Sequence, residues 1–69
     1  MLDWSAARRQ MQQLGVVRFH FEDLPGGRAR FSCWLPAAGG PRMVQADGDG
    51  EAEAVRACLE QARRQLARR

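Results

Sequence analysis

Lysine is absent from this 69-residue chain, histidine occurs once and cysteine only twice. Each scarcity narrows what the protein can do. Without lysine, the positive charge rests on 11 arginines set against 8 acids, a formal +3. That balance favours anionic partners only mildly. The guanidinium fork suits phosphate and carboxylate, yet alanine, glycine and arginine are abundant throughout, so genomic composition explains the arginines equally well. Cys33 and Cys58 are too few for a disulfide framework. No apolar stretch approaches the roughly 20 residues of a membrane span, and the N-terminal residues lack the basic region and apolar run of a secretory signal. A cytoplasmic location with reduced thiols, away from membranes, is the expectation.

The same scarcity limits chemistry. His20 lies close in sequence to Glu22 and Asp23; that grouping could bind a metal or shuttle protons, or could be a half-exposed strand residue before an acidic turn. A Cys–His nucleophile pair fails on phase, because Cys33 points inward and His20 outward. Both cysteines read as small buried apolar residues. Asp47, Asp49 and Glu51 loosely match a cation-binding loop but lack its remaining ligands and its closing bidentate glutamate. Gly26-Gly27 and Gly39-Gly40 do not join a strand directly to a helix, so neither is a phosphate-binding fingerprint. No catalytic residue, cofactor or metal is assigned, and the chain is expected not to be an enzyme.

What the chain does have is pattern, and it changes at Gly48-Asp49-Gly50. Trp4, Ala7, Met11 and Leu14 are spaced to line one face of a first helix. Asp3 or Ser5 can cap it and Gly15 can end it in a left-handed conformation. Val16 to Phe21 then alternates, with Val17, Phe19 and Phe21 inward and Val16, Arg18 and His20 outward. Glu22 to Gly27 reads as a turn. A second strand, Arg28 to Leu35, places Ala29, Phe31, Cys33 and Leu35 inward and Arg30, Ser32 and Trp34 outward. Pro36 to Pro41 connects it to an edge strand, Arg42 to Ala46, with Val44, Arg42 and Ala46 inward unless a bulge reverses them. From Glu51 onward one helix carries Val55, Leu59, Ala62 and Leu66 on its apolar stripe, with Cys58 at the border. Its acidic start and arginine-rich end complement the helix dipole, so the charge gradient requires no ligand.

These elements predict a single α+β domain over residues 1–69: a two-layer α-β-β-β-α sandwich, with a three-stranded antiparallel sheet and two helices on one face. A domain this small buries only about 60% of its unfolded surface, which makes dimerisation or docking an easy way to cover the rest. The outer sheet face would gather Arg18, His20, Arg30 and Trp34. Basic groups interleaved with an aromatic can hold phosphate and stack a base, while tryptophan and arginine are also favoured anchors of protein contacts.

The order of elements resembles the double-stranded RNA-binding domain over nearly the whole chain. Ala7 to Leu14 corresponds to its first helix, Leu24 to Arg28 to its first hairpin loop, and Glu51 to the start of its last helix. The resemblance implies RNA contacts through the first helix, that loop and a lysine run at the last helix. Here the last of these is Glu51-Ala52-Glu53-Ala54, which would repel phosphate. Gly48 to Ala54 is also similar to a short stretch of HicB-type antitoxin domains, which implies a related β-β-β-α core and a protein partner. The expectation is therefore a small binding or adaptor domain acting through self-association or an unidentified protein partner, at Arg18, His20, Arg30 and Trp34. The alternative is a nucleic-acid-binding module that adds Arg8, Arg9, Arg28, Arg64 and Arg68.

Overall fold

Asp3 starts the first helix. Its carboxylate accepts hydrogen bonds from the backbone N–H groups of Ser5 and Ala6, at 3.0 and 3.2 Å. These satisfy donors that a helix start leaves open. Of the two candidate caps, Asp3 takes the role and Ser5 lies inside the helix. In the computed structural model, which describes residues 2–67, α1 spans Trp4–Leu14. Gly15 closes it at φ 77°, a conformation open to glycine at little cost. The N–H groups of Gly15 and Val16 reach back to the carbonyls of Gln12 and Met11, the paired bonds of a Schellman motif.

That closing turn alters the start of the sheet. β1 runs Arg18–Asp23, two residues later than the alternation suggests. Val17, expected inward, is 59% exposed, whereas Val16 is half-buried against the core. The strand also continues through Glu22 and Asp23, so those acids belong to β1 and the turn shrinks to a single 3₁₀ turn at Pro25–Gly27. β2 spans Ala29–Leu35, and β3 spans Arg42–Gly48, two residues beyond its expected end. The three strands form an antiparallel meander in the order β1-β2-β3.

Register aligns the apolar faces. Phe19 and Val44 flank Cys33, and Phe21 and Ala46 flank Phe31. Ala29, Phe31, Cys33 and Leu35 are all buried, as their phase predicts. Val44 and Ala46 are buried too, but Arg42 is exposed because it sits at the end of the sheet, opposite Leu35.

The final helix, α2, spans Glu51–Ala67. It lays Ala54, Val55, Cys58, Leu59 and Ala62 onto the sheet. Cys58 is fully buried rather than at the edge of the stripe. Its thiol donates to the Val44 carbonyl at 3.3 Å and lies 3.6 Å from the Cys33 sulfur. Ala7 and Met11 bring α1 into the same core. Trp4 anchors its first turn, with ring centroids 6.3 Å from those of Phe19, Phe21 and Phe31. The result is a three-stranded antiparallel sheet with both helices on one side, which leaves the other side of the sheet bare.

Gly48 sets the junction between β3 and α2. A Cβ there would stand 2.5 Å from the Ala54 nitrogen and 2.8 Å from the Glu53 carbonyl carbon. Those are backbone atoms that cannot rotate away, so the last helix lies this close to the strand only because residue 48 has no side chain.

Candidate functional site on the outer sheet face

Strand alternation sends every second side chain to the bare face, and the register arranges them in three rows. Arg18, Trp34 and Met43 form the first, His20, Ser32 and Gln45 the second, and Glu22, Arg30 and Asp47 the third. The four residues expected to form a contact surface therefore do share one face. They do not form one basic patch.

The first row is the apolar end. The Arg18 guanidinium lies 4.3 Å from the centroid of the Trp34 ring, where the ring's quadrupole attracts a cation. Beside them Met43 is 49% exposed. In the second row Gln45 donates to the Ser32 hydroxyl at 3.0 Å. Ser32 is buried although it faces outward, roofed by its longer neighbours, and His20 is exposed opposite it.

The third row is an ion-pair ladder. Arg30 donates through Nε and Nη2 to the two carboxylate oxygens of Asp47, at 2.7 and 3.2 Å. This bidentate bond holds the Asp47 carboxyl below its ordinary range and raises Arg30 further. Glu22 faces Arg30 from the other side. Arg30, expected to meet a ligand, is thus engaged within the protein. Counting Arg18 and Arg30 against Glu22 and Asp47, the formal charges on this face cancel with His20 neutral.

The arginines of the nucleic-acid alternative are scattered and mostly engaged. Arg28 pairs with Asp49 at 3.3 Å. Arg64 and Arg63 share Glu60, at 3.6 and 2.8 Å, and Arg68 lies outside the described residues. Arg8 and Arg9 are exposed on α1 and make no ion pair among the described residues. The acids near the start of α2 have protein partners as well. Glu51 accepts from the Trp4 indole N–H at 3.1 Å, and Glu53 accepts from the Asp49 backbone N–H at 3.2 Å. Asp47, Asp49 and Glu51, which loosely match a cation loop in sequence, answer Arg30, Arg28 and Trp4 separately. Among the described residues no group of three or more His, Cys, Asp or Glu side chains could hold a metal ion, and no helix is long and apolar enough to cross a membrane.

Sequence reasoning missed three features here. Met43 completes the first row, Asp47 neutralises Arg30, and Phe19 remains 42% exposed although it points inward. The signal for the first two is the β2–β3 register. The third reflects an edge strand that reaches past the helices. Val17, Phe19, Arg18 and Arg8 line a shallow groove of about 490 Å³ between α1 and β1.

Comparison of the chain with protein-family models, curated proteins and solved structures finds no match. The fold therefore defines only a class: a small α+β domain of α-β-β-β-α topology. Double-stranded RNA-binding domains and other binding modules share that arrangement, which is not specific to any one of them.

Proposed function

We propose that this chain is a non-enzymatic binding module that works through protein contact, with its centre at the Arg18–Trp34–Met43 row. The observation that carries the reading is that row itself: a cation stacked on an indole beside an exposed methionine, on a face whose formal charges cancel. Arginine, tryptophan and methionine are enriched in the cores of protein interfaces, and truncating such an anchor commonly costs about 2 kcal/mol or more, roughly a thirty-fold loss of affinity. A neutral face offers little to phosphate, whose binding is driven by counterion release.

A second reading has its own support. The α-β-β-β-α arrangement is one that double-stranded RNA-binding domains share with other binding modules, and Arg8 and Arg9 stand exposed on α1 without an acidic partner among the described residues. Photo-cross-linking residues placed at Met43 and, separately, at Arg9 discriminate the two in cells that make the protein. Protein contact predicts protein adducts from position 43 that vanish with Trp34→Ala. Nucleic-acid adducts from position 9, with none from 43, would overturn it in favour of the second reading.

A further inference from the structure

β1 is the edge strand whose two faces are least covered. It pairs only with β2, five of its six residues are exposed and the sixth, Phe21, is half-buried. On the opposite edge strand, β3, α2 covers the inner face and buries Val44 and Ala46. Natural edge strands are protected by proline, bulges, charged side chains or a covering element; β1 carries the charges Arg18, Glu22 and Asp23, which repel most strands but not one whose charges are complementary. β1 has no proline, and its inward side chains before Asp23 are Phe19 and Phe21. Phe19 packs on Phe31 and Trp4 along one side, at 5.7 and 6.3 Å between centroids, yet stays 42% exposed.

We infer that this edge pairs antiparallel with the same strand of a second copy, centred on His20, to make a continuous six-stranded sheet. The inference goes beyond the outer-face reading: it adds a second copy of the chain as the partner of the adjoining strand edge. Read against itself around His20, the strand sets Arg18 opposite Glu22 of the second copy, Phe19 opposite Phe21, and His20 opposite His20. Each unlike pair occurs twice by two-fold symmetry. Directly opposed cross-strand pairs are the stabilising units of a sheet, and here they extend rows already present. On the outer face Arg18 of one copy continues into Glu22, Arg30 and Asp47 of the other, an alternating ladder of charge. On the inner face Val44, Cys33 and Phe19 continue into Phe21, Phe31 and Ala46 of the second copy, which covers the open side of Phe19.

Neighbouring registers lack this match. Centring on Phe21 sets Phe19 against Asp23 and Arg18 against Leu24. Centring on Phe19 sets Arg18 against His20 and strands Glu22 opposite Val16. A single strand edge is a small interface beside the roughly 1,200 Å² at which stable ones begin, so the self-association is of the weak, concentration-dependent kind.

Charge reversal tests the pairing. Arg18→Glu alone sets like charges opposite Glu22, and Glu22→Arg alone sets them opposite Arg18. Mixed together, the two variants restore both attractive pairs. Sedimentation of purified protein from about 10 µM to about 1 mM should show a wild-type dimer, at least ten-fold weaker self-association of each variant, and a dimer again in their equimolar mixture. Amide hydrogen exchange on wild-type protein provides a readout that needs no variant: exchange in β1, not β3, should slow as concentration rises. Trp34→Ala should leave the dimer in place while abolishing cross-links from the outer face. A wild-type monomer throughout, variants that dimerise like wild type, or a folded mixture that fails to associate would each overturn edge pairing. A dimer lost to Trp34→Ala but indifferent to charge reversal would also overturn it, while sparing the outer-face reading.

Discussion

Replacing Gly48 by alanine should destabilise the protein severely, although it adds one methyl group at a half-exposed position. The new Cβ would meet the Ala54 nitrogen at 2.5 Å, and the Glu53 carbonyl carbon and Cβ at 2.8 Å. Overpacking costs typically about 1–3 kcal/mol. Two of these three atoms are backbone, so no rotamer change relieves the clash and the upper figure applies. Relief requires α2 to lift from the end of β3, where it would expose the adjoining Ala54 and Val55. Full burial of a valine is worth about 1.5–3 kcal/mol, so partial exposure gives a loss of similar size. A chain of this length has about 3–10 kcal/mol of total stability, and about 3 kcal/mol is a third of it or more. At about 4–8 °C per kcal/mol for a domain of this size, thermal melting followed by circular dichroism should fall by more than about 12 °C. Gly50→Ala is the control. Nothing lies within 4 Å of a Cβ there and its φ is not positive, so it should be neutral or stabilising by up to about 1 kcal/mol through the unfolded chain. A Gly48→Ala protein that melts within about 2 °C of wild type, or a Gly50→Ala protein that falls as far, would refute the close-approach argument.

Phe31→Ala removes the ring on which Trp4 and Phe19 converge, at 6.3 and 5.7 Å between centroids; a loss of about 3–5 kcal/mol should leave a large unfolded fraction by circular dichroism, and a cooperative melt near the wild-type temperature would contradict it. The Arg30 guanidinium lowers the Asp47 carboxyl, so its stabilisation is fully present above the unfolded carboxyl value of about 3.9 and is lost as pH falls through the lower folded value. Urea melts between about pH 5 and pH 2 should therefore show a shallower acid decline for Asp47→Asn than for wild type, and identical slopes would remove the pair from the acid response. The hydrogen-bonding contact with the Cys33 sulfur, together with burial away from water, holds the Cys58 thiol well above the ordinary thiol range. Iodoacetamide at about pH 8 should leave Cys33 and Cys58 unlabelled in the native protein and label both in urea; rapid native labelling would mean that the core opens there.

The parts of this fold that could be read from sequence are those where one face is wholly covered. β2 lies in the middle of the sheet beneath the core, so its period-two alternation translates directly into the burial of Ala29, Phe31, Cys33 and Leu35. The same logic placed Arg18, His20, Arg30 and Trp34 on one outer face. What alternation cannot supply is register. The Pro36-to-Pro41 connection permits several offsets between β2 and β3, and only the observed one puts Asp47 across from Arg30. A residue counted as a free cation is thereby tied down. Boundaries failed for local reasons. The Schellman turn after α1 turns Val16 toward the core and leaves Val17 at an uncovered corner. Cys58, three residues after Val55 and four before Ala62, satisfies helical spacing to both, so the buried face of α2 is wider than the stripe of larger side chains. Gly48 reads in sequence as a breaker, but its decisive property is the lack of a Cβ against the first turn of α2, a contact visible only in three dimensions.

The proposed binding lies on the sheet side, at the Arg18–Trp34–Met43 row and the adjoining β1 edge, and not on the helices. Two-dimensional ¹H–¹⁵N NMR of the intact chain tests it in one measurement, recorded over a dilution series and then with short duplex RNA. Concentration-dependent shifts are expected at the amides of Arg18 to Asp23 and at the Trp34 indole beneath Arg18, with Arg8, Arg9 and the start of α2 unchanged and no response to RNA at moderate salt. Shifts confined to Arg8, Arg9 and the helices on adding RNA, with β1 and Trp34 silent at every concentration, would contradict it.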